Sequence, residues 1–166
     1  MIARLRHGVA ATAAFCLAAH SPAQAACWDV SSIAAARVSE FETLLMVSML
    51  RCKSSGIDMQ TGFDAFLAAN KTTLESAHLT LRARYGVSKT KRGNNDYDRF
   101  VTSVANTYGM GQTEAGVCQQ VGVLLADLAK DGSADLLADA VIQMVRDPHL
   151  DEARCPTAAA TLAQAK

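Results

Sequence analysis

The sequence has few of the residue patterns that identify an enzyme. It contains no Cys-x-x-Cys, no His-Glu-x-x-His, no Gly-x-Gly-x-x-Gly or phosphate-binding loop, and no Gly-x-Ser-x-Gly. These absences argue against thioredoxin-like redox chemistry, covalent c-type haem, the common zinc-protease site, dinucleotide binding and α/β-hydrolase chemistry. No pattern indicates a metal or another cofactor. We therefore predict a binding or interaction module without an evident catalytic site.

Proline is scarce, with three residues in 166, and no stretch alternates apolar and polar side chains long enough for a strand. Apolar residues recur instead at spacings of three and four, as in Val38, Phe41 and Leu45, which is typical of helices buried on one face. The pattern predicts an all-α fold, a single-domain antiparallel bundle of about five helices. The predicted helices span about residues 31–53, 59–84, 96–108, 114–131 and 134–146.

No apolar run is long enough to cross a membrane, but a shorter one lies near the first residue. Arg4 and Arg6 precede the apolar run Gly8–Ala19, and small residues follow at Ala23 and Ala25. This order is typical of a secretory signal peptide. We predict a signal peptide over residues 1–25, a helical domain over 26–156 and a frayed alanine-rich tail over 157–166. The expected location is the periplasm or the medium.

Four of the five cysteines remain after residue 25, which suggests two disulfides in an oxidising compartment. A helix between Cys27 and Cys52 would hold these two residues roughly 30 Å apart, far beyond the reach of a disulfide. Tracing the helices up and down brings Cys52 near Cys118, and a returning tail brings Cys155 near Cys27. The sequence therefore favours Cys52–Cys118 with Cys27–Cys155.

A second interpretation of Cys27 stays open. Gln24, Ala25, Ala26 and Cys27 can be read as a lipoprotein cleavage site, which would anchor the protein to a membrane. Gln24 stands where such sites have an aliphatic residue, and lipidation would leave an odd number of cysteines. Cleavage without lipidation is the interpretation that we favour.

Basic and acidic residues are balanced, with 16 of each, and loss of Arg4 and Arg6 leaves the chain near −2. Such a balance argues against nucleic acid as a partner. Basic residues nevertheless cluster around a predicted polar loop over residues 87–95. We name as candidate binding residues four of these cations and the polar residue on the apolar face of the second helix: Lys89, Lys91, Arg92, Arg99 and Asn70. An anionic envelope component or a protein is the expected partner, and two plain solvated faces are the alternative.

An alternative function is that of a small exported enzyme. His78 follows Glu75 by three positions, so the two side chains are neighbours on one helix face. A histidine beside a carboxylate can act as a general base. The alternative site would contain Asn70, Glu75 and His78, with Arg99 as a further candidate.

Several short strings resemble one family of small exported bacterial proteins of uncharacterised function. The resemblance covers most of residues 26–166. The strings that carry it are Leu45–Cys52, Gly56–Asp58, Phe66–Asn70, Tyr97–Phe100 and Ala105–Gly109, with Cys27-Trp28, Cys118 and Cys155-Pro156. Some members of that family are labelled S-adenosyl-L-homocysteine hydrolase, an enzyme class with a dinucleotide-binding fold and several times this length. The resemblance therefore implies a helical, disulfide-bonded fold and no mechanism.

Overall fold

The computed structural model of the protein describes residues 27–110, 113–131 and 134–156. The predicted signal peptide over residues 1–25 and the predicted tail over 157–166 lie outside these ranges. The described residues form six helices and no strand, which confirms the all-α prediction. The helices are α1 (Val30–Ser54), α2 (Gln60–Ala69), α3 (Lys71–Tyr85), α4 (Lys91–Gly109), α5 (Ala115–Asp131) and α6 (Ala134–Met144). Among the helices of these ranges, none has the length and apolar character that a membrane crossing requires.

The second predicted helix is in fact two helices, because Asn70 interrupts it between α2 and α3. The Asn70 side chain is 4% exposed, and its Nδ2 donates to the carbonyl oxygens of Phe66 at 3.0 Å and Leu128 at 3.2 Å. An asparagine amide that bonds to nearby backbone competes with regular helical geometry. The same amide ties this break to α5.

The first helix is the centre of the bundle, since α1 contacts each of the other five helices. Asp29 caps it by accepting a hydrogen bond from the backbone N–H of Ser32 at 2.9 Å, which satisfies an otherwise unpaired helix donor. The later half of α1 packs with α2, α5 and α6 around Phe41 and Leu45. The earlier half packs with α3 and α4 around Trp28.

The earlier half of α1 buries a different face from the one its apolar pattern predicts. Ala34 is exposed, and Ile33 and Val38 are only partly buried. The buried positions carry small side chains and one carboxylate: Ser32, Ala35, Ala36, Ser39, Glu40 and Thr43. Small side chains let neighbouring backbones come close, and the close approach of α3 places this face inside the protein.

The connection between α3 and α4 is shorter than the predicted loop over residues 87–95, because α4 begins at Lys91. Thr90 caps α4 by accepting a hydrogen bond from the N–H of Gly93 at 2.9 Å. A Cβ atom at Gly93 would stand 2.2 Å from the carbonyl oxygen of Tyr85, so only glycine allows this tight corner. Residues 91–95 lack apolar side chains, so the apolar pattern of the sequence does not show where α4 begins. The corner sets Arg92 beside the end of α3.

Both predicted disulfides are confirmed. Cys52 at the end of α1 is bonded to Cys118 in α5, with the Cα atoms 5.7 Å apart. Cys27 is bonded to Cys155, with the Cα atoms 4.8 Å apart. The second bond fastens residues 145–156, the C-terminal segment, beside the start of α1. Backbone hydrogen bonds reinforce it, since Trp28 N–H donates to Ala153 at 2.8 Å and Cys155 N–H donates to Trp28 at 2.9 Å.

Candidate functional site

A cleft of about 540 Å³ opens between the end of α3, the face of α4 and the C-terminal segment. Its volume is within the range of small-molecule sites. Its lining combines charged, polar and apolar side chains from all three parts. The lining residues are Arg84, Tyr85, Arg92, Asp96, Arg99, Phe100, Ser103, Val104, His149, Leu150, Asp151 and Glu152.

Aromatic rings form the floor of the cleft. Trp28 is fully buried beneath it, with its ring centroid 5.5 Å from that of Phe100, and Tyr85 lies 5.4 Å from Phe100. The Asp151 carboxylate accepts hydrogen bonds from Trp28 Nε1 at 3.0 Å and from the Tyr85 hydroxyl at 2.8 Å. Burial, and then the Asp151 hydrogen bond, raise the pKa of Tyr85, which keeps this hydroxyl a neutral donor. These bonds hold the C-terminal segment against the ring floor.

Three arginines line the same cleft. The Arg84 guanidinium lies 3.9 Å from the Trp28 ring centroid, and its Nη1 donates to the carbonyl oxygen of Cys27 at 2.9 Å. Its buried Nε has no hydrogen-bond acceptor among the described residues. Arg92 and Arg99 both reach Asp96 on α4, at 3.6 and 3.2 Å, and both remain largely exposed. The cleft therefore has guanidinium donors that its own side chains do not saturate.

The three arginines do not make the cleft strongly basic. Asp96, Asp151 and Glu152 line it as well, so the formal charges of arginines and carboxylates balance. Asp151 is occupied by Trp28 and Tyr85, and Asp96 by the two arginines on its own helix. Binding at this cleft would depend on local hydrogen bonds rather than on a long-range field.

Behind the cleft, a buried carboxylate holds a histidine. The Glu40 side chain is 2% exposed and accepts three hydrogen bonds. They come from the Tyr108 hydroxyl at 2.5 Å, the His149 backbone N–H at 2.7 Å and His149 Nδ1 at 2.6 Å. Burial, and then Glu40, raise the pKa of Tyr108, so its hydroxyl stays protonated and donates.

The contact with Glu40 also fixes the tautomer of His149. A carboxylate that accepts a hydrogen bond from Nδ1 places a proton on that nitrogen, so that in the neutral ring Nε2 is the acceptor. The His149 side chain is 50% exposed and lines the cleft. No side chain in the described ranges pairs with Nε2. An oriented imidazole with one available nitrogen is thus part of the cleft wall.

The structure separates the residues that the sequence grouped as a binding site. Arg92 and Arg99 line the cleft, whereas Lys89 and Lys91 stand on the exposed corner outside its lining. Asn70 is inside the bundle, where its amide donates to two carbonyl oxygens.

The residues of the alternative enzyme site have different partners in the structure. Glu75 pairs with Lys71 at 3.7 Å on an exposed helix face. His78 pairs instead with Glu42 of α1, at 2.7 Å between Nε2 and Oε2. That hydrogen bond raises the pKa of His78, and burial opposes the shift. His78 is therefore in direct contact with Glu42, and Glu75 acts on it only through its charge.

Sequence reasoning missed the pair of Glu40 and His149. The available signal was the series of small residues on α1, which marks the face where Glu40 is buried.

Comparisons of the chain with family models, with curated proteins and with solved structures find no match. Within residues 27–110, 113–131 and 134–156, no group of histidine, cysteine and acidic residues is arranged to hold a metal ion. The function has to be inferred from the cleft itself.

Proposed function

We propose that the protein is an exported, disulfide-stapled binding module whose cleft holds a small ligand by a carboxylate or phosphate group. The observation that carries this proposal is the presence of three arginines on one cleft, two of them largely exposed. Guanidinium groups bind carboxylate and phosphate oxygens through paired hydrogen bonds. Arg92 and Arg99, which are largely exposed, are the guanidinium groups of the cleft that a ligand can reach.

Size and charge favour a small ligand over a large polyanion. The cleft volume of about 540 Å³ suits a single small molecule. Its balanced charges, and a net charge near zero for the chain, supply no long-range attraction for a polymer. A larger anionic envelope component would be expected to use the exposed corner with Lys89 and Lys91 instead.

Export is the second part of the proposal. The basic and apolar order of residues 1–25 supports it, as do two disulfides in a chain of this size. Disulfides persist outside the reducing cytoplasm. Fractionation of the native host, followed by the intact mass of the unreduced protein, would test it. A mature chain starting near Ala26 is expected, and an uncleaved cytoplasmic chain would contradict the proposal.

Trp28 allows a direct binding experiment, because it is the one tryptophan of the chain and lies under Arg84. Titration with adipate and with inorganic phosphate should change its fluorescence in a saturable way, whereas neutral adipamide should not. The double variant Arg92→Gln/Arg99→Gln should weaken binding about tenfold or more, as expected on losing hydrogen bonds to a charged group.

The matched control removes the same charge outside the cleft. Lys89→Gln/Lys91→Gln should bind both anions as the unaltered protein does. Loss of binding in this control, with normal binding by the Arg92 and Arg99 variant, would move the site to the exposed corner. Absence of saturable binding for both anions would overturn the proposal.

A further inference from the structure

The Glu40–His149 pair includes a second contact, which is not needed to hold the C-terminal segment on the bundle. Glu40 already holds the C-terminal segment through the His149 backbone N–H at 2.7 Å. The additional contact with Nδ1, at 2.6 Å, fixes the ring and directs its remaining nitrogen away from the carboxylate. A buried carboxylate behind an imidazole stabilises the imidazolium that forms when the ring takes a proton.

We infer that His149 is the general base of a hydrolytic site in the cleft, with Glu40 as its positioning residue. The substrate class is a carboxylic ester that also carries an anionic group. The anion preference rests on the proposed function, since the arginines that line the cleft would hold that group. The proton transfer rests on Glu40 and His149 alone.

The reaction needs one proton acceptor and no redox partner. Water attacks the ester carbonyl carbon and forms the new C–O bond, while His149 Nε2 takes one proton from that water. The bond between the carbonyl carbon and the alcohol oxygen then breaks. The imidazolium returns its proton to that oxygen, and the products are the carboxylic acid and the alcohol. One histidine therefore acts in turn as base and as acid.

The cleft favours this reaction over simple ligand storage for a geometric reason. The His149 ring is half exposed at the wall of the cleft, and its partner Glu40 is almost completely buried. A general base must reach both water and substrate while its orientation is held from behind. The His78–Glu42 pair also sets an imidazole nitrogen 2.7 Å from a carboxylate oxygen, but it does not line the cleft. It therefore supplies an internal control.

The test uses two matched esters, mono-4-nitrophenyl adipate and neutral 4-nitrophenyl hexanoate, and follows release of 4-nitrophenolate. The informative variant is His149→Asn, because the asparagine amide can still donate to Glu40 but cannot act as a base. We expect saturable turnover of the adipate ester, and a kcat about 100-fold lower in His149→Asn, the usual contribution of a general base. KM should stay within about twofold, since binding is left intact.

Two further variants separate catalysis from structure. Glu40→Gln keeps an acceptor for Tyr108 but loses the charge, so kcat should fall while KM and adipate binding stay unchanged. If Glu40→Gln does not fold, His149→Asn decides alone, because the His149 side chain is half exposed. His78→Asn should hydrolyse the adipate ester at the unaltered rate. Added imidazole should restore part of the activity of His149→Ala.

The outcomes distinguish this inference from the proposed function. Adipate binding without turnover of its ester, or equal turnover by the unaltered protein and His149→Asn, would overturn the inference and leave the binding module. An equal loss of activity in His78→Asn would also overturn it. Turnover that requires His149 but shows no preference for the anionic ester, with no adipate binding, would support the hydrolytic site and contradict the proposed function.

Discussion

At the scale of single residues, Glu40 determines how the C-terminal part of the chain meets the bundle. The Glu40 carboxylate on α1 accepts hydrogen bonds from the Tyr108 hydroxyl on α4. It also accepts them from the backbone N–H and from Nδ1 of His149 in the C-terminal segment. Buried donors that lose such an acceptor cost free energy, because water cannot replace it. This side chain therefore adds to the contacts of Asp151 and of the Cys27–Cys155 disulfide that hold the wall of the cleft.

The stability effect of Glu40 can be measured. Glu40→Ala should lower the free energy of unfolding by about 3 kcal/mol or more, since it leaves Tyr108 and His149 without their acceptor. Urea unfolding followed by Trp28 fluorescence measures this loss. Glu75→Ala is the matched control, because its one ion pair, with Lys71, is exposed and should contribute less than about 1 kcal/mol. Equal losses in the two variants would show that Glu40 is not a stabilising contact.

Apolar periodicity predicted the buried residues of the later half of α1, but not those of its earlier half, where small and polar side chains are buried. Phe41, Leu45 and Cys52 were expected in the core and are buried there. Glu40 was not expected, because a glutamate on a helix is ordinarily exposed and its partners lie 68 and 109 positions away. Asn70 was placed on the apolar face correctly, but its contact with Leu128 depends on the docking of α5. A pattern of neighbouring residues in the sequence does not predict contacts between residues so far apart.

At the scale of the elements, the packing of α3 against α1 includes an ion pair as well as small residues. His78 on α3 meets Glu42 on α1 at 2.7 Å, with Arg82 opposing and Glu75 supporting the positive charge of His78. The hydrogen bond that His78 donates to Glu42 is the main reason that the pKa of His78 is raised above 6.5. The link between these two helices is therefore sensitive to pH.

A raised pKa in the folded state gives the direction of this sensitivity. The stabilisation by His78 is fully present below about pH 6.5, where the histidine is protonated in both states, and is lost as pH rises through the folded value. We expect the melting temperature of the unaltered protein to exceed that of His78→Asn at pH 5.5 by more than at pH 8.5. Thermal unfolding of both proteins over this pH range measures the difference. A difference that grows with pH would contradict the assignment of Glu42 as the partner.

Element boundaries followed the sequence except where a special residue changes the chain direction. We predicted that α4 starts at residue 96, but it starts at Lys91. Thr90 and Gly93 form the helix cap there, and no apolar residue indicates that cap in the sequence. That difference moves Arg92 from a loop into the first turn of a helix beside the cleft. The described residues form six helices where about five were predicted, because the break at Asn70 divides the second one.

At the scale of the whole molecule, the two disulfides have different tasks. Cys52–Cys118 connects α1 to α5 inside the main core, and Cys27–Cys155 holds the C-terminal segment on the ring floor of the cleft. Their pairing could be predicted because a helix keeps its two ends apart. The cleft could not be predicted, since it forms from three parts of the chain that only the complete fold brings together.

This division of tasks leads to a paired prediction. Cys27→Ala/Cys155→Ala and Cys52→Ala/Cys118→Ala should each lower the free energy of unfolding by about 2–4 kcal/mol. The first pair should also abolish the adipate-induced change in Trp28 fluorescence, because it releases the wall of the cleft, whereas the second should keep it. Urea unfolding and the adipate titration on both variants provide the test. Retention of binding in the first pair would show that hydrogen bonds alone hold the wall.

The position of the C-terminal segment in the sequence also bears on the cleft. His149, Asp151 and Cys155 follow α6 in the sequence, so the helices of the described residues supply most of the buried core without them. His149 and Asp151, which follow α6, supply the hydrogen-bond partners of Glu40 and Tyr85. A chain cut short after α6 would keep most of its core and lose one wall of the cleft. The cleft therefore requires the C-terminal segment, which follows the last helix of the described residues.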